Sequence, residues 1–495
     1  MTTTNKTVLE LDDTFASEFP ELGADWQPQS VSVPELVALN LELAKELGID
    51  PADLESPDGL ATLTGSATPA DARPIAMAYA GHQFGGFSPL LGDGRAVLLG
   101  EVISPNGHRL DIHLKGSGRT PFARGGDGKA GLAPMFREFL MAEAMHALNI
   151  STTRALAVAT TGEQIRREEG LVPGAVLTRV ASSHIRVGTF QFAASLEDRT
   201  VLRRLADHAI ERHYPAVAAS DGRHLAFLEA VVDSQAALIA DWMLVGFVHG
   251  VMNTDNVTIS GETIDYGPCA FMDRYDPTTV YSSIDHGARY AYGNQPAIGQ
   301  WNLLRLAETL LPLIDEDLDA AVAAATEVLN AYADRYQYHW RSGMRTKLGL
   351  VEAIEADEVL AADLLDMLQS EQVDYTTTFR ALASSLRGDD KTLRGLFETQ
   401  TSLEAWIGRW RSRLDTEGRD LELVATEMDS VNPIYIPRNH LVDAALEAAT
   451  AGDIGPFNEL LEAVTDPFVE RDALERFVGP APESFDKTFK TYCGT

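Results

Sequence analysis

Cysteine is nearly absent: Cys269 and Cys493 are the only two in 495 residues. Two thiols cannot build a thiolate zinc site or a disulfide framework, and the twelve histidines show no metal-ligand spacing. Any metal is therefore expected to be a hard cation on oxygen ligands. Long apolar runs are missing as well. No stretch approaches the ~18 uninterrupted apolar residues of a membrane span, and the opening residues, Met1 to Lys6, lack the apolar core of a secretory signal. The expectation is a soluble, cytoplasmic protein with no membrane partner. Positive charge is also scarce: 40 Lys and Arg against 73 Asp and Glu leave a net −33, which repels nucleic acid and anionic lipid over most of the surface and argues against a nucleic-acid partner. Aromatics are modest at 8%, yet 45% of residues are apolar. That excludes disorder as the default and gives enough core for two or three packed units.

Against the acidic background, the window Arg109 to Arg137 holds six basic residues (Arg109, Lys115, Arg119, Arg124, Lys129, Arg137) and two acidic ones, Asp111 and Asp127. It reads either as an anion site or as a solvated basic loop. On its N-terminal side, Arg95 to Ile103 is apolar enough for a strand, and Pro105-Asn106-Gly107 makes a turn. Arg109 to Lys115 then alternates, with Leu110, Ile112 and Leu114 on one face and Asp111, His113 and Lys115 on the other. Lys115 thus points away from the apolar face. After a Gly-rich loop, Pro134 to Leu148 reads as a helix on which Met135, Glu138, Ala142 and Met145 share a face. A carboxylate there needs a partner, and Lys115 is the candidate. Glu143 competes for that role on a second apolar face, and periodicity leaves the choice open. Strand-like pieces follow at Ala155 to Ala159 and Ala175 to Ala181. A helix is expected at Val33 to Leu47, and the longest one at His224 to Val248. Most of the remainder is expected to be helical (Trp301 to Leu313, Ala320 to Arg335, Glu358 to Gln369, Leu441 to Ala449).

The long helix ends at His249-Gly250-Val251-Met252-Asn253-Thr254-Asp255-Asn256, and Asp265-Tyr266-Gly267 follows. Protein kinases carry His-x-Asp-x-x-x-x-Asn and then an Asp-Phe-Gly triplet. His249, Asn256 and Asp265 keep that register, but the position of the kinase's proton-accepting Asp is Val251, and a valine cannot accept a proton. An amide oxygen from Asn256 and a carboxylate from Asp265 suit a hard cation bridging nucleotide phosphates. Gly92, Gly94 and Arg95 could bring backbone amides near a phosphate, although Gly-Asp-Gly also serves as a plain turn. Gly125 to Lys129 fails as a P-loop because Ala130 stands where Ser or Thr is required. Arg179 and Arg186 offer guanidinium forks suited to phosphates, or to surface ion pairs.

Taken in order, Gly81-His82-Gln83-Phe84-Gly85-Gly86-Phe87, Leu91-Gly92-Asp93-Gly94-Arg95, Leu114-Lys115-Gly116-Ser117-Gly118-Arg119-Thr120-Pro121, Arg137-Glu138-Phe139-Leu140 and Asn253-Thr254-Asp255-Asn256 resemble the selenoprotein O family of protein adenylyltransferase pseudokinases. The likeness runs from about Ala76 to Leu310 and is expected to reach the C-terminus. It implies an α+β, protein-kinase-like bilobal fold. The divisions are an N-terminal extension (1–75), a β-rich N-lobe (76–185), a C-lobe with the catalytic loop (186–320) and a helical C-terminal extension (321–495). It also implies ATP bound in a flipped orientation and AMP transferred to Ser, Thr or Tyr hydroxyls of proteins, or of the chain itself. By the same resemblance, nucleotide contacts fall on Gly92, Gly94, Arg95, Lys115, Asp127, Gly128, Arg179 and Arg186, with Asp265 beside them and Glu138 as the partner of Lys115. Asp255 becomes the proton acceptor, and Asn256 and Asp265 the ligands of Mg2+, with Mn2+ as an alternative.

Two other readings stay open. The chain could move the γ-phosphoryl group with Asp255 replacing the missing Asp, or it could bind ATP as an inert scaffold. Cys269, two residues past Gly267, and Cys493, third from the end, raise the expectation of a redox disulfide tying the tail over the site. The alternative is two unrelated thiols.

Overall fold

The alternation in Arg109–Lys115 does make a strand, and it lies at the centre of the molecule's main sheet. The computed structural model describes residues 8–70, 72–167 and 170–492. Its strands in chain order are β1 Gly23–Asp25, β2 Glu35–Leu39, β3 Ile75–Met77, β4 Gly81–Gln83, β5 Gly86–Ser88, β6 Ala96–Ile103, β7 Arg109–Lys115, β8 Ala130–Gly131, β9 Arg154–Arg167, β10 Gly170–Ala181, β11 Phe247–Val248 and β12 Ala270–Phe271. The main sheet is antiparallel in the order β1-β3-β6-β7-β10-β9-β2, with β8 paired to β10. Two small pairs, β4 with β5 and β11 with β12, stand apart from it. The architecture is mixed α and β, and helices dominate after residue 186.

Both faces of the sheet are covered, so β7 is buried on both sides. Ile112 and Leu114 pack with Leu99, Val102, Leu156, Val176 and Val180 against Leu43, Leu54 and Leu63 of short N-terminal helices. The opposite face carries Leu98, Val158 and Leu177 against Met135, Phe136 and Phe139 of the helix Leu132–Ala147. This second face also holds Asp111, His113 and Lys115, all buried. The segment read as an N-terminal extension therefore does two jobs: its helices close one face, and β1 and β2 form the sheet's edges.

The expected helix Val33 to Leu47 is corrected. Its first half is β2, paired with β9 through Leu36↔Ala159 and Ala38↔Val158. A short helix, Leu41–Glu46, starts only after Asn40, whose side chain accepts the Leu43 amide at 3.0 Å as an N-cap. Edge pairing along β9 outweighs the helical period of a short apolar stretch. The strands read at Ala155 to Ala159 and Ala175 to Ala181 are the inner ends of the longer β9–β10 pair.

The long helix, expected to reach Val248, runs Arg223–Val245 and ends on Gly246 at φ 73, whose amide returns to Met243, so Phe247 and Val248 belong to β11 instead. A left-handed glycine is the standard helix stop, and it turns the chain directly into β11. Pairing of Phe247 with Phe271 and of Val248 with Ala270 then clamps the two ends of the loop segment 249–269. Among the described residues no helix is long and apolar enough to cross a membrane.

Candidate functional site

The loop segment 249–269 faces the polar side of β7 across a cleft of about 410 Å3. Gly92, Gly94, Arg95, Lys115, Asp127, Gly128, Arg179, Arg186, Val251, Asp255, Asn256 and Asp265 all line it. Glu138 sits just behind, on the helix Leu132–Ala147. The residues singled out in the sequence, separated by up to 173 positions, thus share one cavity or touch its wall.

Asp265 is the hub. Lys115 Nζ reaches its Oδ1 at 2.8 Å and Arg179 Nη1 the same oxygen at 2.7 Å, while Arg186 Nη1 donates to Oδ2 at 2.5 Å. Burial alone would raise the Asp265 pKa, but Lys115, Arg186 and Arg179 outweigh it and hold the carboxyl well below the usual range. Asp265 also sits at φ 61, a left-handed conformation uncommon for a residue with a side chain. Glu138 takes Lys115 at 2.6 Å and Arg179 at 3.2 Å. The competitor Glu143 is occupied elsewhere, by Arg154 at 2.7 Å. Three cations thus face two carboxylates, which leaves a positive excess in the cleft of an acidic chain.

The loop itself is held from below. His249 Nε2 bonds the Ile264 carbonyl at 3.0 Å, and its backbone amide donates to Gln295. Burial keeps this histidine's pKa low, so it is a neutral tie between the loop and the strand-like piece leading to Asp265. Asn256 Nδ2 donates to the Val251 carbonyl at 3.0 Å, which leaves its amide oxygen for a cation. Asp255 is 8% exposed and its Oδ1 has no hydrogen-bond partner. Burial pushes its pKa up to about 6. A buried carboxylate whose oxygen lone pair meets no donor can accept a proton or face a cation.

Gly92 and Gly128 are required for steric reasons. At φ 66, a β-carbon on Gly92 would lie 2.5 Å from the Phe122 ring, and at φ 73 one on Gly128 would lie 2.2 Å from the Arg119 amide. These glycines let the loop 119–128 fold down against Gly92–Gly94. Asp127 caps the Lys129 amide and pairs with Arg167 at 2.9 Å, half-exposed at the rim.

Sequence reasoning missed a buried chain behind Arg179. Arg179 Nη2 lies 3.1 Å from His113 Nδ1, and His113 Nε2 lies 3.0 Å from Asp93 Oδ2. Arginine can only donate, so Nδ1 accepts and the ring proton is on Nε2. The signal was present: His113 stands two residues before Lys115 on the same face of an alternating strand. Also missed was the pinning of the hairpin β4–β5 to the loop. His82 N donates to Thr254 Oγ1 at 2.7 Å and Phe84 N to Asn253 Oδ1 at 3.0 Å.

Asn256 and Asp265 suit a hard cation by their donor atoms. Among the described residues no group of three or more His, Cys, Asp or Glu could hold a metal, so a cation on Asn256 and Asp265 would need further ligands from phosphate and water, the usual mode for magnesium. Cys269 is fully buried and its thiol is pushed up to about 11 by that burial. Cys493, the other half of the expected disulfide, lies outside the described residues.

The family model described as "Protein adenylyltransferase SelO" matches residues 9–465 of this chain. A "Protein nucleotidyltransferase YdiU" of Cereibacter sphaeroides (strain KD131 / KCTC 12085) is 57% identical over 484 residues, covering 98% of this chain and 99% of that protein. Proteins of the same name from Mycobacterium sp. (strain KMS) and Mycolicibacterium paratuberculosis (strain ATCC BAA-968 / K-10) are 56% and 55% identical. They cover 99% and 100% of this chain and 100% of their own lengths.

Proposed function

The chain belongs to the protein adenylyltransferase SelO family, and from that premise we infer how its cleft works. It is a nucleotidyltransferase that transfers AMP from ATP to protein. We propose that the acceptors are Ser, Thr and Tyr hydroxyls, of other proteins or of the chain itself, and that pyrophosphate leaves. The arrangement is read as kinase-like and bilobal, with 76–185 and 186–320 as the lobes flanking the cleft and 1–75 and 321–495 as additions. A cytoplasmic site of action is part of the same proposal.

The observation that carries the mechanism is the convergence of Lys115, Arg179 and Arg186 on one side of a cleft whose other side offers Asp255 and Val251. In this reading Asp255 takes the proton of the acceptor hydroxyl. The oxygen attacks the α-phosphorus, and the bond from that phosphorus to the bridging oxygen of the β-phosphate breaks. The basic cluster stabilises charge on the departing pyrophosphate, in place before the reaction and costing no reorganisation. Gly92, Gly94, Arg95, Asp127 and Gly128 border the nucleotide, and Glu138 orients Lys115. Asn256 and Asp265 would hold Mg2+ or Mn2+, which when bound supplies charge neutralisation to the phosphates. A γ-phosphoryl transfer would want a carboxylate at position 251, where the side chain is apolar.

The test is stoichiometry. One pyrophosphate should appear for each AMP covalently fixed on protein, and Asp255→Asn should suppress both together. Phosphate or ADP appearing in place of pyrophosphate would overturn the reading.

A further inference from the structure

The hairpin β4–β5 turns through Phe84 and Gly85, with Gln83 paired to Gly86. Both turn residues have positive φ, 51 and 85. Two-residue hairpins of this kind favour Asn or Gly at the first position, and a bulky aromatic there is strained. Strain kept at a cleft is a pointer to use. Here it holds the Phe84 ring 39% exposed at the cleft mouth, its edge on Tyr290 at 5.2 Å. Phe87 is 51% exposed beside it and lies against His82 at 4.8 Å, while His82 in turn meets Trp301 edge-on at 5.3 Å. Ile284 adds another exposed apolar side chain on the lining.

Beside this platform lies a cation with no acid to neutralise it. The Arg289 guanidinium stacks 4.8 Å from the Trp301 ring, and a β-carbon at Gly85 would lie 3.8 Å from it. Its Nε is buried without a hydrogen-bond partner, and among the described residues it makes no ion pair. Asp285, on the same turn, spends its two carboxylate oxygens on the amides of Arg289 and Tyr290. Arg305, the other arginine on Trp301, is already paired with Glu308 at 2.9 Å. In a chain with 73 acidic and 40 basic residues, this arginine lies without a carboxylate partner among the described residues, at the tip of the hairpin, beside Gly85.

The platform is also rigidly tied to the chemistry. Its amides bond Thr254 and Asn253, Gln83 Nε2 reaches Asp255 Oδ2 at 3.4 Å, and the Tyr290 hydroxyl donates to Asn253 at 2.5 Å. Whatever rests on the hairpin is therefore positioned against Asp255.

We propose that the hairpin Gly81–Ser88, together with Arg289 and Trp301, docks the protein substrate and selects a segment in which an acidic and an apolar side chain flank the acceptor hydroxyl. The acid pairs with Arg289 and the apolar side chain rests on Phe84 and Phe87. This rests on the adenylyl-transfer reading and names the substrate class that reading leaves open.

The experiment compares two peptide pools that share the acceptor hydroxyl, one flanked by Asp and Glu and the other by Lys and Arg, using ATP labelled on the α-phosphate. The wild type should use the acidic pool with a kcat/KM at least ~10-fold higher, since a like-charge pair in place of an oppositely charged one costs that much or more. Arg289→Glu should reverse the order. Phe84→Asn puts a residue that tolerates positive φ into the turn. It should melt at the same temperature or higher while its KM for the acidic pool rises several-fold, with ATP affinity read in parallel by calorimetry. Equal use of both pools by the wild type, an unaltered order in Arg289→Glu, or an unchanged KM in Phe84→Asn would overturn the docking proposal alone. No α-label on any acceptor would overturn the adenylyl-transfer reading and the docking proposal with it.

Discussion

Arg179 serves Glu138, Asp265 and His113 at once, and a fork held on three sides would have little freedom left to lose to a phosphate, the ligand proposed for it. His113 is the least obvious of these holders. It is fully buried, and burial, against the pull of Asp93, leaves its pKa low. It therefore stays neutral, accepting from Arg179 and donating to Asp93, which in turn receives the Met77 amide at 3.2 Å. His113→Leu should free Arg179 from one side and strand Asp93, lowering transfer by about 10–100-fold, the range typical of outer partners of charged sites. His113→Gln keeps one donor and one acceptor and should recover part of the loss, mostly in kcat. Steady-state kinetics on both variants check this; equal damage from Leu and Gln would make His113 a packing residue. At this scale the sequence disclosed the polar face of β7 but not its burial. Alternation separates two faces, and only the N-terminal helices on one side and the helix Leu132–Ala147 on the other show that neither face meets water. The choice between Glu138 and Glu143 was illegible for the same reason: both sit on buried faces, and what separates them is Arg154, a partner from another strand.

Elements were legible where one strand or helix carries its own pattern. β7 follows from a clean period of two, β6 from an apolar run and the Pro105–Gly107 turn from its residue types, whereas the long helix, expected to reach Val248, stops at Gly246. β2 was misread because a short apolar stretch fits either period, and the decision belongs to β9, more than a hundred residues away. The outer half of β9–β10 was missed because its ladder runs on past the apolar core, where hydrogen bonding persists but hydrophobic alternation fades. The interface between the sheet and the segment leading to the helix Val187–Ser195 makes a prediction of its own. His184 stacks on His113 at 4.2 Å and bonds Asp111 through Nδ1 at 3.0 Å. Burial, reinforced by His113 and Arg179 and opposed by Asp111, lowers its pKa to about 3. The unfolded chain takes up this proton near pH 6.5 and the fold refuses it. The contribution to stability is therefore full above about pH 6.5 and is lost as pH falls toward 3, at up to about 1.4 kcal/mol per pH unit. His184→Gln, which cannot titrate, should show a shallower fall of melting temperature between pH 6.5 and 4 than the wild type. Parallel curves would mean that the imidazole is charged in the fold.

Across the whole molecule, the C-terminal part is stapled to the segment behind the cleft by the residues around Arg438. Arg438 is fully buried, with Nη1 2.5 Å from Asp273 and 2.6 Å from Asp374, and Asn439 Nδ2 donates to the Phe271 carbonyl at 2.9 Å. Phe271 and Asp273 follow directly on the loop that carries Asp265, so the helices after 321 brace the metal-proposed segment from behind. Arg438→Ala leaves two buried carboxylates without their counter-ion, which costs about 3–5 kcal/mol. The melting temperature should fall by several degrees, and a change within experimental error would mean that the staple is dispensable. The site that this bracing supports is the one proposed to hold ATP, through Asp265 and its three cations, so that AMP, and not the γ-phosphoryl group, moves to protein. The most direct measurement incubates the protein with magnesium and ATP labelled either on the α- or on the γ-phosphate and follows label on protein, with Asp265→Ala alongside. The expected result is α-label on protein, no γ-label, and neither with Asp265→Ala; γ-label without α-label, or full α-transfer by Asp265→Ala, would contradict adenylyl transfer through Asp265.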